Sequence, residues 1–283
     1  MLFFIGLVVV IGSILGGYLP HGSIEVLFQP LEFLIIGGAA LGGFIIANPK
    51  PVLVAAAKSL GRVLKGPPHD RDSYLELLTM LYGLFKLMKA KGAMAIEKDI
   101  ENFAESEFFQ NHPKFCANHH AVEFLCDYLR LLTMGTDKAH EIEALMEEDI
   151  ETHHSEDERV FSAVATVADG LPAFGIVAAV LGVILTMSSI TEPPEVLGGL
   201  IGAALVGTFL GVLLAYGFVG PVGNNLKAYA EADTKYYECI KAGLVAYLHG
   251  YAPAIAIEFA RKTLFSEVRP SFYEVEEAII DAA

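Results

Sequence analysis

Residues 169–190 read DGLPAFGIVAAVLGVILTMSSI, and after Asp169 no charged side chain appears until Glu192. As a helix rising 1.5 Å per residue, Gly170 to Ile190 would extend about 31 Å, the thickness of a bilayer's hydrocarbon core. A Lys or Arg at the centre of such a helix costs about 2.5–3.5 kcal/mol on insertion scales, so a gap of this length signals lipid. A short link, 191–195, leads to a second uncharged stretch, Val196 to Phe218. The expectation is a pair of helices crossing a bilayer in opposite directions.

The same pattern opens the chain. Leu2 to Tyr18 is apolar, and Glu32 begins a further apolar run that continues through Phe33 to Ala47. Over 283 residues the chain is 54% hydrophobic, and its mean hydropathy is +0.49. No Lys or Arg precedes Lys50 and none lies between Arg159 and Lys227, so 13 of the 19 basic residues fall in 50–159 and the other 6 in 227–283. Four buried helices of a soluble core would show more amphipathic alternation than these stretches do. Met1 leads straight into apolar sequence without a basic flank, which reads as a retained first helix rather than a signal peptide.

Orientation follows from the basic residues. The connections 19–31 and 191–195 hold none, whereas Lys50, Lys58, Arg62 and Lys65 follow the second crossing. Lys and Arg accumulate on the cytoplasmic side, so both long polar regions and both termini are expected there. The expected layout is a helix pair in 1–49, a cytoplasmic helical domain in 50–168, a second pair in 169–222 and a cytoplasmic helical tail in 223–283. The fold class is all-α.

Within the polar regions, 52–65 reads as a basic amphipathic stretch suited to a membrane surface. Residues 72–92 and 93–107 carry helical spacing, with Leu75, Leu78, Leu81, Leu84 and Met88 on one stripe. Two more helices are expected at 118–134 and 138–152, and 224–250 continues the fourth crossing. Glycines spaced four apart (Gly12 and Gly16, Gly38 and Gly42, Gly198 and Gly202, Gly207 and Gly211) allow close backbone approach in a bundle or an oligomer.

Several functions are disfavoured. A net charge of −15 offers no basic footprint for nucleic acid. Three scattered cysteines, Cys116, Cys126 and Cys239, form no disulfide framework. Cys116, His119 and His120 lack a fourth ligand at zinc spacing, so no metal is expected. No phosphate loop or hydrolase signature appears, and neither an enzyme nor a cofactor is expected. His153 and His154, in the acidic run 147–158, read as solvated helix surface.

An ion-translocating protein usually keeps an ionisable group inside the bilayer. The inner parts of all four stretches lack one, since Glu32 and Asp169 stand at helix ends, Glu32 near the outer face. Any carboxylate that accepts protons is therefore expected from another subunit. Polar side chains in the third and fourth stretches are few, among them Thr186, Thr208 and Tyr216. Pro172 is expected in the first turn of the third helix, where proline is often unstrained. Pro221, after Gly220, removes a backbone donor and suggests a hinge.

The stretches 169–182 (DGLPAFGIVAAVLG) and 206–221 (VGTFLGVLLAYGFVGP) resemble the third and fourth helices of the MotA family, the stator subunits of the flagellar motor. So do 96–102 (IEKDIEN), 142–152 (IEALMEEDIET) and 250–272 (GYAPAIAIEFARKTLFSEVRPSF), in order and with matching spacing. That resemblance implies an inner-membrane ring of these subunits around a dimer of MotB, which supplies the proton-accepting aspartate and the peptidoglycan anchor. It also implies that Pro172 and Pro221 act in conformational coupling, with Thr208, Ala179 and Tyr216 along the ion pathway. Lys89 and Glu97 would engage the rotor protein FliG, and eight residues on one helix would offset them by about 80°. Sodium-driven relatives carry threonine where this chain has Ala179, so proton coupling is expected. The alternative within the wider family is an energiser of the TolQ and ExbB kind, which has three crossings.

Overall fold

The computed structural model describes residues 2–136 and 138–281. Its regular elements are helical, and no strand occurs among the described residues. In order they are α1 (Leu2–Tyr18), α2 (Ile24–Leu27), α3 (Pro30–Ala47), α4 (Lys50–Lys65), α5 (Arg71–Lys91), a 3-10 turn (Ala93–Ile96), α6 (Glu97–Glu101), α7 (Glu107–Gln110) and α8 (Pro113–Cys116). Then follow α9 (His119–Thr133), α10 (Ala139–Ser188), α11 (Pro194–Leu213), a π-helical segment (Leu214–Val219), α12 (Gly220–Leu248), α13 (Pro253–Lys262) and α14 (Phe272–Asp281).

Two compact units result, one from 1–66 with 156–229 and the other from 67–155 with 230–283. Among the described residues, three helical stretches are long and apolar enough to cross a membrane: Ile24–Ala47, Ala139–Ser188 and Pro194–Leu248. At 17 residues α1 is shorter, but it is equally apolar and buries no side chain. Large aliphatic side chains stand exposed along the first unit, from Val8 and Leu34 to Ile46, Ile184 and Leu205. Water would penalise such a surface and hydrocarbon would not.

The first unit has two small cores. Ile36 and Ala40 of α3 pack with Leu171 and Ala178 of α10, Val206 and Leu210 of α11, and Ala215. Ala56 and Val63 of α4 pack with Val160, Val164 and Leu226. On α4 three faces can be distinguished. Val52, Ala56 and Val63 are buried, Leu60 and Leu64 form an exposed apolar strip, and Lys50, Lys58, Arg62 and Lys65 lie on the exposed remainder.

The second unit has a conventional core. Leu78, Leu81, Leu84 and Met88 of α5 are buried as the stripe predicts, although Leu75 is only half-buried and Tyr74, Leu77 and Phe85 join them. They meet Val122, Leu125 and Leu129 of α9, Ile142 and Met146 of α10, Ile240 and Leu244 of α12, and Ile257 of α13. Helix α5 is capped by Asp70, whose carboxylate accepts from the Ser73 amide at 2.8 Å. His69 is buried just before that cap, its Nε2 2.7 Å from Asp233 Oδ1 and its ring stacked on Tyr236 at 4.0 Å.

The structure corrects several expectations. The helix expected at 138–152 and the apolar stretch expected to cross third are one helix of 50 residues, Ala139–Ser188. No Gly or Pro interrupts 140–169, and helix propagation is cooperative, so nothing in the sequence stops it. Pro172 therefore sits inside α10, not in a first turn. It withholds one donor from the Ala168 carbonyl, a loss a long helix can absorb. His153 and His154 are half-buried rather than solvated. His154 Nδ1 lies 2.9 Å from Thr234 Oγ1, and the His153 ring is 5.0 Å from that of Tyr237.

Candidate functional site: the helix pair α10–α11 and its buried carboxyl

Glycine decides how α10 and α11 meet. A Cβ on Gly211 would lie 2.7 Å from the Leu171 carbonyl oxygen and 2.9 Å from Gly175 Cα, and one on Gly175 would lie 2.9 Å from the Gly207 oxygen. Farther along, a Cβ on Gly182 would come within 2.6 Å of Ala204 Cβ. The contact is backbone on backbone, the small-residue geometry of membrane helices. Of the four glycine pairs noted in the sequence, Gly207 and Gly211 make it. Gly12, Gly16, Gly38, Gly42 and Gly198 have nothing within 4 Å of such a Cβ, and Gly202 meets only Val26 at 3.8 Å. The matching stripe on α10, Gly175 with Ala178 and Gly182, has mixed spacing and so carries no pair of glycines four apart.

Glu32 enters this pair from α3. It is only 8% exposed, and its Oε2 has no hydrogen-bond partner among the described residues. A Cβ on Gly207 would lie 2.9 Å from that oxygen, 3.1 Å from Ala178 Cβ and 3.5 Å from the Ala179 nitrogen. The expectation of Glu32 near the outer face is overturned. Gly207 lies 11 residues past Val196, about 16 Å along its helix, and Ala178 lies 8 residues past Gly170, about 12 Å. Glu32 is therefore level with the middle of both apolar stretches, and the view that the apolar helices hold no ionisable group of their own falls with it. The cause is α2, which folds onto α11 with Val26 against Gly202 and Leu27 in the core beside Ile36. The link before α3 thus sinks along α11, and α3 starts deep.

The other sequence-derived positions fall around the same pair. Ala179 and Thr208 are half-buried, and the Thr208 Cα lies 3.4 Å from where a Gly175 Cβ would be. Tyr216 projects from the π-helical segment and is exposed. That segment closes with the Gly220 amide donating to the Ala215 carbonyl, a five-residue step immediately before Pro221. A π turn here accommodates the donor that Pro221 lacks, and such turns recur at functional sites. In the second unit Lys89 and Glu97 are both exposed, but they do not share a helix. Gly92 ends α5 with φ +81°, a conformation that suits glycine, and a 3-10 turn intervenes before α6. The 80° offset expected for one continuous helix does not apply.

Comparison with known proteins agrees along the whole chain. Residues 4–92 match the Motility protein A N-terminal family, and residues 117–239 match the MotA/TolQ/ExbB proton channel family. Motility protein A of Salmonella typhimurium is 45% identical over 280 residues, covering 99% of this chain and 95% of that protein, and the Escherichia coli protein matches equally. The chain belongs to the motility protein A family. Among solved structures, C. jejuni MotAB aligns with a TM-score of 0.78 at 23% identity, covering 95% of this chain and 97% of that one. At that identity the likeness concerns the fold, and it extends the family's all-helical architecture to this member.

Proposed function

We propose that this member of the motility protein A family is the ring-forming membrane subunit of a flagellar stator, which with a MotB companion passes protons and turns their flow into torque. The observation that carries the reading is 45% identity over 280 residues, nearly the full length, to proteins named Motility protein A. That the structural neighbour is MotAB supports MotB as the companion.

In this reading α1 is a fourth crossing, short enough at about 26 Å to thin the bilayer locally. The helix pairs of 1–49 and 169–222 lie in the inner membrane, and the polar regions 50–168 and 223–283, with both termini, are cytoplasmic. The basic face of α4 lies along the headgroups with Leu60 and Leu64 toward the acyl chains. Gly12, Gly16, Gly38, Gly42 and Gly198 lie open for neighbouring subunits or lipid. The companion's aspartate takes up protons beside Ala179 and Thr208, where a methyl group in place of a hydroxyl leaves a sodium ion short of an oxygen ligand. Pro172, the π turn with Tyr216, and Pro221 allow the long helices to bend without breaking a full ladder. Lys89 and Glu97 face the rotor protein FliG, where attraction between exposed charges gives steering and salt sensitivity. Each proton falling through 100 mV releases about 2.3 kcal/mol, so work accumulates over many transfers.

Deleting the gene tests the reading. Cells that keep intact filaments but do not swim are the expected result. Normal swimming with detergent sensitivity or failed iron uptake would favour the TolQ and ExbB kind of energiser.

A further inference from the structure

The stator reading leaves Glu32 without a role. Between Leu171 and Ile190, and again between Val196 and Leu226, the sequence holds no Asp, Glu, Lys, Arg or His. Glu32 is thus the acid that α3 brings to the mid-level of an otherwise uncharged pair. Its Oε2 is buried without a donor among the described residues, in the space that the missing side chain of Gly207 leaves open. A buried carboxyl oxygen in that position needs either a proton or a donor from outside this chain. Ionisable groups at this depth are costly, and they mark ion pathways and proton relays. Alanine at 207 would collide both with the Glu32 oxygen and with Ala178 Cβ, so the small residue keeps room for the carboxyl. The neighbouring positions are Ala179 and Thr208, which the stator reading already sets on the ion path.

We propose that Glu32 is a proton-binding site of this chain, a relay carboxyl through which transported protons pass on their way to or from the companion's carboxylate. The proposal rests on the stator reading and deepens it. In each transfer an O–H bond forms on Glu32 as hydronium on the outer side gives up a proton and becomes water. That O–H bond then breaks as the proton moves, directly or across a bridging water, to the companion's carboxylate. The companion becomes a neutral acid, and Glu32 returns to the carboxylate until the next proton arrives. A purely packing role would need only the shape of the side chain. A relay needs an exchangeable proton.

The test uses the chain purified together with its MotB companion and reconstituted into liposomes. A potassium diffusion potential drives protons inward and an enclosed pH dye reports them. Three variants are compared with the native complex: Glu32→Gln, Glu32→Leu and Glu32→Asp. Glutamine keeps the shape, leucine keeps the bulk without a polar group, and aspartate keeps a carboxyl. The expected result is a fall in proton flux of at least tenfold in the assembled Glu32→Gln and Glu32→Leu complexes, with Glu32→Asp above both. An infrared carbonyl band of a protonated carboxyl, shifting in deuterium oxide and absent from Glu32→Gln, would accompany it. Native flux in either assembled Glu32→Gln or Glu32→Leu overturns the relay while leaving the stator reading intact. A native complex that carries no protons refutes the stator reading itself, and the relay with it.

Discussion

Gly211→Ala tests how tightly the chain's central helix pair is joined. The added methyl would lie 2.7 Å from the Leu171 oxygen, 2.9 Å from Gly175 Cα and 3.1 Å from the Gly175 nitrogen. All three obstacles are backbone atoms, which cannot rotate aside as a side-chain tip can. Non-bonded contacts are most favourable near 3.5–4.0 Å, so relief demands that α10 and α11 separate by roughly 0.5–1 Å. A gap of that size forfeits about a quarter to a half of each contact's well depth along the seam. Overpacking of this kind costs about 1–3 kcal/mol, and rigid obstacles place Gly211→Ala at the upper end. Gly198→Ala is the matched control, since a methyl there meets nothing within 4 Å. The assay is thermal denaturation of the detergent-solubilised complex, followed by loss of its size-exclusion peak, with swimming measured in parallel. The double variant Gly175→Ala/Gly211→Ala is expected to fall short of the sum of the singles, because either methyl already opens the same seam. A Gly211→Ala complex that melts with the native one would refute the backbone-to-backbone seam.

Three further outcomes follow from other parts of the chain. Reversing the exposed charges separately, Lys89→Glu and Glu97→Lys, is expected to lower swimming, more so at low ionic strength; unchanged motility in both removes their proposed rotor contact. Ser271 and Glu274 form a capping box on α14, the carboxylate accepting from the Ser271 amide at 2.6 Å, and Ser271 together with Arg71 holds the Glu274 carboxyl down to about 2. Because that value lies below the unfolded one, the support Glu274 gives α14 is complete above about pH 4.5 and is lost as the pH falls toward 2. Amide exchange of α14 should quicken over that window in the native chain, and Glu274→Gln should flatten the dependence. Arg261 is buried, its Nε 2.8 Å from Glu258 Oε2 and its Nη1 donating to the Pro270 carbonyl at 3.0 Å. Arg261→Met keeps the bulk but orphans both acceptors, at a cost of about 1.5–3 kcal/mol, and should make the segment after Lys262 sensitive to protease in membrane preparations.

How far the sequence could be read differs from element to element. Leu2–Tyr18 and the apolar body of α3 were legible because exclusion of charge is a property of the chain read one residue at a time. The α5 stripe was legible because a helix turns a linear period into a face. The join of 138–152 to the third crossing was missed because an acidic segment and an apolar one look unlike each other, although neither carries a breaker. The pairing of His69 with Asp233 was also missed, since the two residues are 164 positions apart and neither has a local signature.

The candidate site divides along the same line. The sequence by itself determined that the chain is helical, that its apolar stretches suit lipid, and to which family it belongs, because charge gaps and long motifs need no partner to be recognised. Only the tertiary structure decided which glycines meet, that Lys89 and Glu97 stand on separate elements, and that Glu32 lies level with Gly207. The level of Glu32 depends on how helix ends are offset from one another. That offset is set by the fold of α2 onto α11, a contact between residues far apart in sequence that no local pattern encodes.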